Sequence, residues 1–172
     1  MGFSNSQIHN DALPNVEDVE LLSISKQYLK IIVLNKVVMC LAFVSVLVLG
    51  KFFVTKAGFQ EGFWYIFSII VGFCLLNFGL AILAFKKRKY AIREHDVIYA
   101  KGLLINSITT VPISRIQHIE ESRSWLSRQF NLATLNLYTA GESGSDLSIK
   151  GLPYQEAKQI NDFISSRING NG

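Results

Sequence analysis

Charge is what this sequence has least of. Asp, Glu, Lys and Arg make up 17% of its 172 residues, where a water-soluble domain carries about 25%. Cysteine and proline are scarce too, with two and three residues respectively. Two thiols cannot staple a small secreted scaffold. The basic excess, 17 Lys+Arg against 13 Asp+Glu, is too small and too little clustered to argue for nucleic acid as a partner. There is no glycine-rich phosphate loop, no nucleophile elbow and no Cys/His metal set. His9, His95 and His118 stand apart, none with a second ligand at metal spacing. What is abundant is apolar surface: 49% of residues are hydrophobic, and the mean hydropathy is +0.28. Disorder, collagen and an ordinary soluble enzyme are excluded by that balance.

The missing charge maps to one region. Phe63 to Phe85 is a run of 23 residues without Asp, Glu, Lys or Arg. As a helix it extends about 34 Å, enough to cross a hydrocarbon core of about 30 Å. Val37 to Val54 is a second such run, broken only by Lys51 near one end, where a long stem reaches the headgroups. Lys36 is placed to do the same at the other end. Thr55–Gly62, polar and with two glycines, joins the runs. Helices satisfy their backbone within lipid, so the pattern predicts a transmembrane helical hairpin over residues 31–85, with spans at about 37–54 and 63–85. Cys40 and Cys74 fall inside the spans and read as small packing residues. Ser68, Gly72 and Gly79 give small-residue spacing for close helix packing, and mid-span Asn77 offers a hydrogen bond to the other helix or another subunit.

Basic residues set the orientation. Lys26, Lys30 and Lys36 precede the first span. Lys86, Lys87, Arg88, Lys89 and Arg93 follow the second. The connection carries only Lys51 and Lys56. The eight-to-two bias predicts a multi-pass protein with both termini in the cytoplasm. Lys86–Lys89 reads first as this topology signal, and second as a contact for anionic lipid headgroups. Residues 1–30 are taken as an N-terminal tail, with a short amphipathic surface helix over Val16–Lys30.

From Lys86 onward the pattern changes to short alternating runs bounded by Gly, Asn, Asp and Ser, which are strand signals. Strands are expected in residues 90–93, 97–105, 107–113, 116–122, 133–140 and 147–150, with Pro112 at a strand edge or bulge and Gly151-Leu152-Pro153 breaking the last of them. Ala157, Ile160, Ile164 and Ile168 then recur at helical steps through Tyr154–Ile168, giving one apolar face to bury. A strongly bent sheet plugged by that helix accounts for both patterns. Within it, Glu120, Glu121, Arg115, Arg123 and Arg128 surround Trp125-Leu126. Adjacent carboxylates on a strand face opposite sides, which argues against a catalytic pair. Arg115 is expected to hold a turn. Trp125, Leu126 and Arg128 are interaction candidates, with two placements open for Trp125 and Leu126: an exposed docking point or burial in the mouth of the sheet.

The order of these residues is itself informative. A hairpin and basic stop lead to Tyr90-Ala91-Ile92, Gly102-Leu103-Leu104, Val111-Pro112-Ile113, Arg115-Ile116-Gln117 and Trp125-Leu126-Ser127-Arg128. Asn131-Leu132-Ala133-Thr134, Tyr138-Thr139-Ala140-Gly141 and Leu152-Pro153 before Ala157 follow. Across roughly residues 35–167 this resembles the bacterial pleckstrin-homology-like (PH-like) family of small membrane proteins, the YdbS-like group. Asn131 stands where the family usually has Gly, and Asn tolerates a left-handed backbone. The resemblance implies a membrane hairpin plus an α+β cytoplasmic domain over residues 86–169. That domain is a PH-like bent antiparallel barrel of six or seven strands capped by the C-terminal helix. It implies a bacterial cytoplasmic membrane and no known catalytic residue. Some members assemble into rings through their barrel edges, so the expected partners are the bilayer and either a second copy or a companion membrane protein of the family. Eukaryotic relatives of the fold bind phosphoinositides through a basic first-strand loop; the matching turn here, Glu94-His95-Asp96, is acidic. The resulting expectation is an interaction or scaffold module without cofactor, metal or enzymatic activity, the alternative being a sensor of anionic headgroups.

Overall fold

The computed structural model describes residues 19–103, 105–140 and 147–170. Two long helices dominate its N-terminal half, α1 (Lys26–Phe53) and α2 (Ala57–Lys86). Ser25 caps the first by accepting from the Gln27 backbone N–H. Both helices outrun their apolar cores. The residues read as a loop, Ala57–Gly62, form the first turns of α2, leaving Val54–Lys56 as the connector. Gln60 holds this tight turn by donating its amide to the carbonyls of Lys51 and Val54, both at 2.8 Å. The most apolar window of each helix is only 11% and 6% buried. Phe52, Phe53, Val46 and Ile69 are each at least 70% exposed. A soluble protein does not leave such faces bare; a bilayer is the solvent that accepts them.

Cys40 and Cys74 correct the sequence reading. They lie opposite each other, Cα atoms 5.9 Å apart, and the structure pairs them as a disulfide, a separation such a bridge accommodates. The Lys36 ammonium likewise meets the Asn77 side-chain oxygen at 2.8 Å. Both pairs lie on opposite sides of the connector, as an antiparallel hairpin with a short turn requires.

The remaining elements form two antiparallel sheets. β1 (Leu22–Ser23), β2 (Lys89–Ile92), β3 (Asp96–Lys101) and β4 (Ser107–Pro112) lie in that order in the first. A single 3-10 turn, Ile113–Arg115, leads to β5 (Ile116–Ser122), and α3 (Trp125–Gln129) follows. The second sheet orders β5, β6 (Leu132–Thr139) and β7 (Leu147–Pro153), and α4 (Tyr154–Asn169) ends the fold. Among the described residues the sheets are not hydrogen-bonded to each other, so the expected closed barrel is two open sheets. β1 comes from before the hairpin: Leu22 pairs with Tyr90, and Ile24 joins the core. The surface helix expected over Val16–Lys30 is therefore replaced, from residue 19 on, by this strand and the first turn of α1; residues 16–18, like the tail before them, lie outside the described residues.

The core sits between the sheets and α4. Val97, Leu135, Leu137, Ile149, Leu152, Ala157 and Ile164 are fully buried. Alternation on β6 buries Leu135 and Leu137 while Asn136 faces away, bonded to Ser122 and Ser148. Gly151 does not break β7. It is the extra residue of a bulge there, with φ +83°, between the pairs Ala133–Leu152 and Thr134–Lys150. Asn131 does take up the left-handed backbone, φ 51°, and its carbonyl accepts the Tyr154 N–H at 3.0 Å to start α4.

Candidate functional site

The basic run after the second helix does not act as one block. Lys86 ends α2, and Lys87 follows as its C-cap. Lys89 opens β2, exposed, while Arg88 is half-buried with its guanidinium 6.0 Å from the Tyr28 ring of α1. Cations suit a helix C-terminus, where the unpaired carbonyls carry partial negative charge. Arg88 alone of the four turns into a cavity of about 630 Å³ between the hairpin and the sheets. Lys101, at the end of β3, and Lys150, in β7, line it as well. Sequence reasoning missed both, because strands distant in the chain bring them together and no local spacing records that.

In the turn between β2 and β3 the basic residue, Arg93, is already paired: its Nε and Nη2 donate to the Asp96 carboxylate. That hydrogen bond, with the neighbouring negative charge, holds the arginine above its ordinary value even against desolvation.

The charged stretch around Trp125 also resolves. Ser124 caps α3 by accepting from the Ser127 N–H. Trp125, the first residue of that short helix, is 72% exposed, while Leu126 is half-buried. The tryptophan therefore takes the exposed alternative. Arg128 is exposed and donates weakly to the Arg123 carbonyl at 3.4 Å. The arginine that holds the turn is Arg123. It donates to the Leu132 carbonyl at 3.2 Å and stacks 3.9 Å over the Tyr154 ring. Arg115 is exposed on its 3-10 turn.

Two acids are bonded to tyrosines. Glu120 accepts from the Tyr138 hydroxyl at 2.9 Å, and this bond raises the tyrosine pKa. Glu156 accepts from Tyr90. Burial first, and that carboxylate second, push Tyr90 well above the ordinary tyrosine value. Neither pair faces a nucleophile. Among the described residues no cluster of His, Cys, Asp and Glu has metal-binding geometry.

In the hairpin, Asn77 does reach the other helix, through Lys36. Ser68, Gly72 and Gly79 are exposed on α2, the two glycines with open space where a Cβ would stand. Ser68 returns its hydroxyl to the Trp64 carbonyl of its own helix. The small residues thus lie outside the contact between α1 and α2.

Comparison with known proteins agrees with this architecture. The chain is similar to the UPF0699 transmembrane protein YdbS of Bacillus subtilis (strain 168), 29% identical over 109 residues, which are 63% of this chain and 64% of that protein. The aligned region thus spans less than two thirds of the relative's length. No solved structure gives a significant match. The family model for the bacterial PH domain matches residues 32–168. That stretch takes in most of the hairpin, six of the seven strands and nearly all of the capping helix. The family is not a known enzyme family. With its paired sheets and helix hung from a hairpin, the chain belongs to the bacterial PH domain family, in its YdbS-like form.

Proposed function

We propose that this chain is a membrane-anchored PH-like scaffold module that assembles with itself or a companion membrane protein of its family. The supporting observation is the free edge of β4, which pairs only with β3 among the described residues. The Ile113 N–H points inward to the His95 carbonyl. Continuing that alternation back along β4, the backbone groups of Ile108 and Thr110 point out to the open edge. Pro112, next in the series, offers no N–H, which limits how far a partner strand can pair. Ile108 is 55% exposed on this edge strand. Thr110→Pro removes an outward N–H without touching the β3 ladder. Light scattering of the full chain in mild detergent is expected to show an oligomer that this variant converts to monomer, with its melting temperature nearly unchanged. A monomeric parent chain that captures no family companion rejects the assembly.

The same reading places the chain in a bacterial cytoplasmic membrane with both termini in the cytoplasm, on the eight-to-two basic bias. Single cysteines introduced by Thr55→Cys and Lys158→Cys, with Cys40 and Cys74 changed to Ser, test it with an impermeant maleimide. Thr55→Cys is expected to label in intact cells and Lys158→Cys only after lysis; the opposite pattern reverses the topology. A second reading, recognition of anionic headgroups, is favoured by one specific observation: Arg88, Lys101 and Lys150 converge beside the membrane end of the hairpin.

A further inference from the structure

The cavity between hairpin and sheets does not end at Arg88. A second one, about 520 Å³, begins at the same three residues, Tyr28, Ala84 and Arg88, and continues between α1 and α2 toward the middle of the hairpin. The two differ in chemistry. The outer one presents three cations, Arg88, Lys101 and Lys150, with the hydroxyls of Ser107 and Ser148. The inner one has apolar walls, including Ile32, Leu80 and Ala81, and carries Lys36 and Asn77 at its deeper end. Among the described residues no Asp or Glu lines either cavity.

Lys36 is a second, independent observation. It lies ten residues into α1, about 15 Å along the helix axis from its start. An ammonium has three N–H donors, and one neutral acceptor, the Asn77 amide oxygen, is supplied at 2.8 Å. The ion pair found among the described residues, Arg93–Asp96, is elsewhere. A cation between two apolar helices is costly without an anion or water to complete its shell, and the cavity beside it is where such a group enters.

We infer that the joined cavities are a binding site for one anionic glycerophospholipid. Its phosphate is held by Arg88, Lys101 and Lys150, its glycerol lies past Arg88 on the Ile32–Leu80 wall with its ester oxygens toward Lys36 and Asn77, and its chains leave the inner cavity along the apolar faces of the hairpin. The apolar inner half selects a lipid over a soluble phosphate compound. This deepens the headgroup reading above and rests on it, but moves recognition from the Lys86–Lys89 run to a site that includes only Arg88 of that run. Because the cations come from the link between α2 and β2, from β3 and from β7, a bound phosphate would lock hairpin to domain.

The test uses the full chain in neutral detergent, titrated with dioleoyl-phosphatidylglycerol, dioleoyl-phosphatidylcholine and glycerol 3-phosphate, with thermophoresis as the readout. Phosphatidylglycerol is expected to bind tightest. The variant Arg88→Gln/Lys101→Gln/Lys150→Gln should weaken it by about tenfold or more, since each cation near an anionic headgroup contributes attraction. Lys86→Gln/Lys87→Gln/Lys89→Gln removes the same charge outside the cavities and should change binding by less than about twofold, the residue of screened long-range attraction. Equal losses in the two triple variants overturn the site and leave a diffuse basic collar. No preference for phosphatidylglycerol over phosphatidylcholine overturns the headgroup reading itself. Glycerol 3-phosphate binding as tightly as the lipid overturns the lipid assignment. If the cavity variant melts early without lipid, Lys150→Gln alone, at an exposed position, replaces it and must weaken phosphatidylglycerol more than Lys89→Gln does.

Discussion

Replacing Ile164 by Asp is expected to unfold the domain of sheets and α4 while leaving the hairpin in its detergent micelle. Ile164 is completely buried on α4, between Ala157 and Ile160 on one side and the strands of the second sheet on the other. Burying such a side chain is worth about 1.5–3 kcal/mol. A carboxylate in its place would sit in the core, whose fully buried side chains are aliphatic. The desolvation cost adds several kcal/mol, against a typical domain stability of about 5–15 kcal/mol. Lys158→Asp, two turns away on the exposed face, should cost no more than about 0.5 kcal/mol. Urea titration of the detergent-solubilised chain by circular dichroism separates the two. The micelle shields the hairpin, so the urea-sensitive transition reports the sheets and α4. A similar midpoint for both variants would mean that α4 is not part of the core.

That prediction rests on a feature legible in the sequence, because one apolar stripe at three- and four-residue steps leaves a helix one way to lie. The hairpin was legible for a similar reason: a run of 23 uncharged residues has few alternatives to a bilayer. Asn131 was legible through the resemblance, because it stands where the family usually has Gly and Asn tolerates a left-handed backbone. The misreadings have physical causes. β1 is two residues long, too short to show any period, and it is made by pairing Leu22 with Tyr90 across the whole hairpin. Gly58 and Gly62 read as loop residues, yet each further helical residue adds a hydrogen bond once a helix is nucleated, so α2 runs back through both. Cys40 was seen as a small residue because its partner, Cys74, becomes visible only when the hairpin register is known. The candidate lipid site was the least legible of all. Its cations lie on three elements, and Lys36, which reads as a snorkelling end residue, proves to be turned toward Asn77.

Gly151→Ala is the second substitution with a large expected effect, because it acts where the hairpin is fastened to the domain. Gly151 has φ +83°, a left-handed conformation that costs an L-residue about 1–2 kcal/mol. An added Cβ would also stand 2.5 Å from Cγ of Tyr28. The ring cannot simply swing aside, since it packs against the core and under the Arg88 guanidinium. Overpacking of this kind costs about 1–3 kcal/mol, so the single methyl should destabilise the chain by about 2–5 kcal/mol in all. Three residues before Tyr28, in the same fastening, the Ser25 N–H donates to the Gly151 carbonyl at 3.1 Å, so a shift of β7 there also loosens the start of α1. A double-mutant cycle with Tyr28→Ala isolates the contact. In the Tyr28→Ala background the clash is gone, and Gly151→Ala should then cost only the backbone share. An equal cost in both backgrounds would show that Tyr28 yields freely and that α1 is not bolted to β7. The chain would then be a domain on a loose tether, and a ligand in the cavity beside Tyr28 could not hold hairpin and sheets as one body.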